Sequence, residues 1–191
     1  MIDQVMDLLA RQLNGHLRRM LHVPEDVVVV SNLQEIGGTP VTSSANKVVL
    51  FLSGIERDTL AHRPREASWG GADGIVQRAA PVYLNLLVMC AANFSGSHYP
   101  EALKFLSAAI AYFQGNPSFD HRNTPDMDAR LEGLALNMEN LSSHEMHNVW
   151  SIHGGRYMPS VVFRVRMITL RSGAVRGRDA AISHVETQAW P

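Results

Sequence analysis

The chain has 191 residues, 46% of them apolar, and its 17 Lys and Arg against 18 Asp and Glu give a formal net charge of -1. This balance argues against general nucleic-acid binding, which depends on clustered cations that displace counterions from phosphates. No stretch approaches the ~20 apolar residues of a membrane-spanning helix. Asp3 and Asp7 stand where a secretory signal peptide would carry positive charge. The length predicts one domain, or at most two small ones.

The first third of the chain predicts one helix and two strands. Apolar residues at spacings of three and four predict an amphipathic helix over 1–21 that Pro24 terminates. Its buried face is expected to comprise Ile2, Val5, Met6, Leu9, Leu13, Leu17, Met20 and Leu21, and its polar face Asp3, Asp7, Arg11, Asn14 and Arg18. Strands are predicted at 27–30 and 47–55. The near-continuous apolar run of the second strand indicates that both of its faces are covered.

The middle third combines a long loop with the most apolar strand. Residues 58–78 predict a loop in which Trp69 is either a contact residue or a local packing anchor. Residues 81–92 predict another central strand, and a helix follows from Ser97 or His98 to Gly115. The buried stripe of this helix is expected to comprise Ala102, Leu103, Leu106, Ala109, Ile110 and Phe113.

The last third completes the predicted sheet. Alternation over 131–139 predicts a half-buried strand with Leu134, Leu136 and Met138 on one face. Ser142 and Glu145 form a capping box for a short helix that runs to Trp150, and 161–170 predict the last strand. The elements together predict an α+β fold: a mixed, mostly antiparallel sheet of about five strands, flanked by an N-terminal helix, a middle helix and a short late helix. Residues 1–171 form the expected single domain, followed by a C-terminal tail over 172–191.

Residue types with catalytic chemistry are present, but their spacing forms no recognised active site. His144 and His147 lie three residues apart on one helix face and could chelate a metal with a third ligand such as His153, although the zincin motif needs a spacing of four. Cys90 lies inside an apolar strand and is expected to be an inert core thiol. We therefore predict a protein that is not an enzyme and has no catalytic residues, cofactor or metal; a His-based metal hydrolase is kept as an alternative.

Arginines concentrate in segments that have no clear place in the core. Nine of the 17 cations fall in the region 57–78, the last strand and the tail, namely Arg57, Arg63, Arg65, Arg78, Arg164, Arg166, Arg171, Arg176 and Arg178. Arginine is enriched at interfaces because its planar guanidinium pairs bidentately and stacks. The tail is either a disordered terminus or an arm that docks on a neighbouring subunit, for example by strand addition. The candidate interface residues are Arg63, Arg65, Trp69, Arg176, Arg178 and Trp190.

Several segments resemble one family of structural proteins. They include Leu-Ser-Gly-Ile-Glu-Arg-Asp at 52–58, Pro-Val-Tyr-Leu-Asn-Leu at 81–86 and Tyr-Met-Pro-Ser at 157–160, the last leading to Phe163 and Arg166. The N-terminal helix, the helix over 101–113 and the short helix over 141–150 stand at the corresponding places. Over about residues 1–170 the chain is similar to the caps, or tube/sheath terminators, of extracellular contractile injection systems, which are similar to the tail terminators of contractile phages.

This resemblance implies a structural function without catalytic residues. It implies a hexameric ring on the end of the inner tube that stops polymerisation and engages the last sheath layer. The implied partners are further copies of the chain, the inner tube protein and the sheath protein, with no nucleic acid and no membrane insertion. It also implies assembly in the cytoplasm into a contractile particle that is released from the cell. A sheath-initiating or baseplate ring of the same kind of particle is the alternative.

Overall fold

The computed structural model of the protein describes residues 1–35, 37–58, 82–154 and 157–166 in full, and the backbone of 75–78, 167–170 and 175–179. In these ranges the chain forms three α-helices: α1 (Ile2–Leu21), α2 (Tyr99–Gly115) and α3 (Ser143–Ile152). The strands there are β1 (Val28–Val30), β2 (Lys47–Arg57), β3 (Ile75–Arg78), β4 (Val82–Asn93), β5 (Ser118–Phe119), β6 (Leu134–Glu139), β7 (Ser160–Leu170) and β8 (Val175–Asp179).

Six of these strands form one mixed sheet in the order β1-β2-β4-β7-β6-β5. β1 runs parallel to β2, and every other neighbouring pair in the sheet is antiparallel. This confirms the predicted mixed, mostly antiparallel α+β fold, with six strands where about five were expected. The extra strand, β5, has only two residues and pairs with the start of β6.

The helices α1 and α2 cover one face of the sheet. Residues on alternate positions of β2 and β4, such as Leu50 and Val88, are buried beneath them. Leu13 and Leu17 of α1 are completely buried in the same core. Fully burying a side chain of this size stabilises the fold by roughly 1.5–3 kcal/mol, so this face supplies most of the apolar stabilisation.

The short helix α3 covers part of the opposite face. Val49 and Phe51 of β2 and Met89 of β4 pack there with Trp150 of α3 in a second buried cluster. The two predicted central strands are therefore covered on both faces, as their near-continuous apolar runs indicated. The capping box is also confirmed: Ser142 Oγ accepts from the Glu145 N–H, and the Glu145 carboxylate accepts from the Ser142 N–H.

Three predicted core positions are wrong. Met20 of α1, Leu103 of α2 and Met138 of β6 are exposed. In α2 the buried positions include Ala102, Ala108 and Ala109, so small residues let the helix lie close to the sheet, and Leu103 projects away from it. Met138 lies on the same strand face as the buried Leu134 and Leu136, but it lies next to the last residue of β6, where the strand is no longer buried.

The predicted loop over 58–78 and the predicted tail over 172–191 need one correction each. Residues 75–78 form β3, and residues 175–179 form β8. The two strands pair with each other in an antiparallel ladder that joins Ile75 to Asp179 and Val76 to Arg178. Each strand has at most five residues, which is too short for a clear sequence pattern. Its pairing partner lies about a hundred residues away in the sequence, so no local motif indicates the pair.

Candidate functional surfaces

The strand pair β3–β8, which we call the ribbon, is adjacent in sequence to two strands of the main sheet, since β3 precedes β4 and β8 follows β7. The last pairing between β4 and β7 joins Val82 to Leu170, and the nearest pairing of the ribbon joins Arg78 to Val175. Three residues of one segment (79–81) and four of the other (171–174) separate these two pairings in sequence. The segment on the β8 side is therefore one residue longer than the segment on the β3 side, and the ribbon is a two-stranded sheet of its own.

The ribbon brings together the backbones of the two segments that were singled out as candidate interfaces. Arg176 and Arg178 lie in β8, and the backbone of Arg178 pairs with that of Val76. Arg63, Arg65, Trp69 and Trp190 lie outside the described residues, and their role stays a prediction. The sequence of the two ribbon strands contains three arginines, at 78, 176 and 178, against the single carboxylate of Asp179.

Arg164 has a different environment from the one expected for a partner-facing arginine. Its guanidinium donates through Nε to Glu139 of β6 and through Nη1 to Glu56 of β2, and only 20% of the side chain is exposed. The Glu139 carboxylate, and then that of Glu56, raise the pKa of Arg164 above its ordinary value. Charge-assisted bonds of this kind are stronger than neutral ones. Arg164 therefore links three strands within the chain.

The histidines of the metal-hydrolase alternative lie on the exposed side of α3. His144 Nε2 lies 3.2 Å from Asn148 Nδ2, and His147 Nε2 lies 3.4 Å from Ser151 Oγ. His153 stacks edge-on against Phe51 at 4.8 Å, and burial lowers its pKa. Among the described residues, no three His, Cys, Asp or Glu side chains are grouped so that they could hold a metal ion.

Cys90 is confirmed as a core residue. It is completely buried in β4, and burial raises the pKa of its thiol to about 12. At pH 8 the thiolate fraction is therefore about one in ten thousand.

We expect the Cys90 thiol to resist alkylation in the native protein and to react fully once the chain is unfolded in denaturant. The reaction is followed by mass spectrometry in native buffer and in denaturant. Rapid modification of the folded protein at neutral pH would contradict this environment for Cys90.

Exposed apolar side chains were largely missed by the sequence analysis. Ile152 at the end of α3 is 80% exposed and Tyr157 is 63% exposed, with the Tyr157 ring 5.8 Å from that of Trp150. Leu103 and Tyr99 project from α2. A usable signal was the composition of α2, whose 17 residues include only two charged ones, Glu101 and Lys104, too few to cover an outer face with charge.

Comparison with known proteins places the chain in a family. The model of the Pvc16 N-terminal domain family matches residues 4–183, which is nearly the whole chain. The protein therefore belongs to this family. A comparison with curated proteins gives no match, and none of the helices in the described residues is long and apolar enough to cross a membrane.

Two solved structures share the fold at low sequence identity. One is a cryo-EM structure of the sheath/tube terminator of an extracellular contractile injection system, PVC, in the extended state; it has a TM-score of 0.64 and 14% identity and matches 95% of this chain. The other is the tube-terminating cap of the anti-feeding prophage, with a TM-score of 0.58 and 16% identity over 94% of this chain. The chain spans 63% and 59% of the length of those two proteins, less than two thirds of each.

Proposed function

We propose that this protein is the cap of a contractile injection particle, a ring that terminates the inner tube and engages the last layer of sheath. The observation that carries the proposal is the fold likeness to two terminators over almost the entire chain. Membership of the Pvc16 N-terminal domain family supports it independently. The fold alone does not define a function, so the proposal also rests on the surfaces of this chain.

The proposed mechanism is steric, with no chemical step and no cofactor. Six copies form a closed ring through heterologous contacts, in which two different surfaces of neighbouring copies meet. One side of the ring matches the last ring of tube protein. The other side lacks the complementary surface, so stacking cannot repeat and the tube ends. Assembly takes place in the cytoplasm, and the finished particle is released.

We assign the ribbon, and the arm over 172–191 that contains β8, to contacts with a neighbouring copy or with the sheath. A two-stranded ribbon is marginally stable alone and gains from a third strand or a packed surface. Arginine and tryptophan dominate binding energy at interfaces, which favours Arg63, Arg65, Trp69, Arg176, Arg178 and Trp190 as anchors. The excess of arginine in β3 and β8 fits an acidic surface on the partner.

The test is to assemble particles without this protein and to measure tube and sheath lengths by electron microscopy. We expect a loss of defined length, since nothing stops polymerisation, and recovery when the wild-type chain is supplied. A gold label on the protein should mark the end of the particle that lies far from the baseplate. Unchanged lengths, or a label at the baseplate, would refute the proposed cap.

A further inference from the structure

Among the described residues, β1 is the outermost strand on one side of the sheet, and some of its backbone groups point away from β2. The Val48 N–H of β2 donates to Val27 O at 2.8 Å, and the Ser31 N–H donates to Leu50 O at 3.3 Å. Because bonding groups alternate along a strand, the N–H and C=O groups of Val28 and of Val30 point outward. Such unpaired groups on an edge strand are a template on which another chain can form a strand.

The side chain of Asn14 in α1 forms hydrogen bonds with the outward groups of Val28 and with the Val27 N–H. Its Oδ1 accepts from the Val27 N–H at 2.9 Å and from the Val28 N–H at 2.8 Å, and its Nδ2 donates to Val28 O at 2.8 Å. A carboxamide has the same donor and acceptor as a peptide group. Asn14 therefore takes the place that a peptide group of an added strand would occupy.

The opposite side of the sheet is not closed in this way. β5 pairs with β6 only at Leu134 and Ala135, and the Leu136 N–H donates to Pro117 O at 2.8 Å. In the part of the chain that the structure describes, no further strand accompanies the remainder of β6, where Met138 is exposed. The two sides of the sheet therefore differ in their capacity to accept another strand.

We propose that Asn14 closes the β1 edge at Val28 against strand pairing with a second copy of this chain. Copies of the protein then meet through other surfaces, and the sheet does not continue from one copy into the next across β1. Asn14 occupies both outward groups of Val28, the donor and the acceptor. The proposal does not depend on the protein being a cap.

The first experiment compares the wild type with Asn14→Ala by sedimentation velocity over a wide range of concentration. We expect the variant to form additional, larger species as concentration rises. Adding Val30→Lys to Asn14→Ala should restore the wild-type distribution of sedimenting species, because a lysine on an exposed edge strand opposes pairing. It should not restore the thermal stability that Asn14→Ala loses. Val30 is suitable because its side chain is exposed on β1. A double variant that associates as strongly as Asn14→Ala would overturn the proposal.

A matched control separates edge pairing from general loss of stability. Leu17→Ala removes a fully buried side chain of α1 and leaves the β1 hydrogen bonds in place. If this variant, compared at equal thermal stability, associates as much as Asn14→Ala, the association comes from partial unfolding and the proposal fails.

Hydrogen exchange at the Val28 amide gives a readout within the folded state. In dilute Asn14→Ala we expect exchange of this amide to accelerate by up to about tenfold, the factor that corresponds to a hydrogen bond of typical strength. At high concentration the amide should regain protection as a second copy pairs with β1. Association without renewed protection of the Val28 amide would place the contact elsewhere and contradict the proposal.

Discussion

Replacing Phe163 by alanine is expected to lower the free energy of unfolding by about 3–5 kcal/mol, the usual cost of removing a buried phenyl ring. Phe163 lies on β7 with only 3% of its surface exposed. Its ring packs at 4.9 Å against that of Phe113 at the end of α2. The variant therefore opens a cavity where the sheet meets the middle helix. Since domains of this kind have a total stability of about 5–15 kcal/mol, the loss should be large.

Urea denaturation followed by circular dichroism measures this loss. Phe163→Leu is the matched control, because it keeps most of the apolar contact while removing the ring; we expect it to cost about 1–1.5 kcal/mol. A cost below about 1 kcal/mol for Phe163→Ala would mean that α2 does not pack over β7, since core truncations to alanine rarely cost so little.

Removing residues 171–191 is expected to abolish incorporation of the protein into particles while leaving the six-stranded sheet folded. The truncation removes β8 and with it the pairing partner of β3, but it retains β7 to its last pairing, between Leu170 and Val82. We expect the melting temperature to change little, because the two apolar clusters that the described side chains form are retained. Incorporation is measured by electron microscopy of particles assembled with the truncated chain.

Point variants distinguish the loss of a strand from the loss of charge. In the full chain, Arg176→Glu together with Arg178→Glu reverses the charge of β8 and should also prevent incorporation if the partner surface is acidic. Arg122→Glu serves as the control, since Arg122 lies on an exposed segment after β5 and belongs to neither candidate interface. Normal incorporation of the truncated chain would remove the ribbon and the tail from the proposed contact surface.

The central elements of the fold were predictable because each has a strong local pattern. The strands β2 and β4 have near-continuous apolar runs, which only a strand covered on both faces can bury. The capping box of α3 is likewise a local motif, formed by residues three positions apart. The family resemblance was predictable for the same reason, since it rests on these apolar segments in a fixed order, and the family match over residues 4–183 confirms it.

The features that were missed depend on distant parts of the chain. Asn14 was assigned to the solvent face of α1, yet its partners are backbone groups of β1, and no side-chain pattern reveals a backbone partner. Arg164 was grouped with partner-facing arginines, but Glu56 and Glu139 reach it from two other strands. The proposed contacts between copies depend on the partner's surface, which the pattern of one chain does not contain.

The position of β7 in the sheet has a consequence for synthesis of the chain. β7 joins β4 on one side and β6 on the other, so among the described strands β5 and β6 pair with the rest of the sheet only through β7. During translation, β1, β2 and β4 leave the ribosome well before residues 160–170 do. Until those residues emerge, β4 exposes one unpaired edge and the nascent sheet is incomplete. Folding to the final sheet, and any assembly that requires it, is therefore delayed until residues 160–170 have been made.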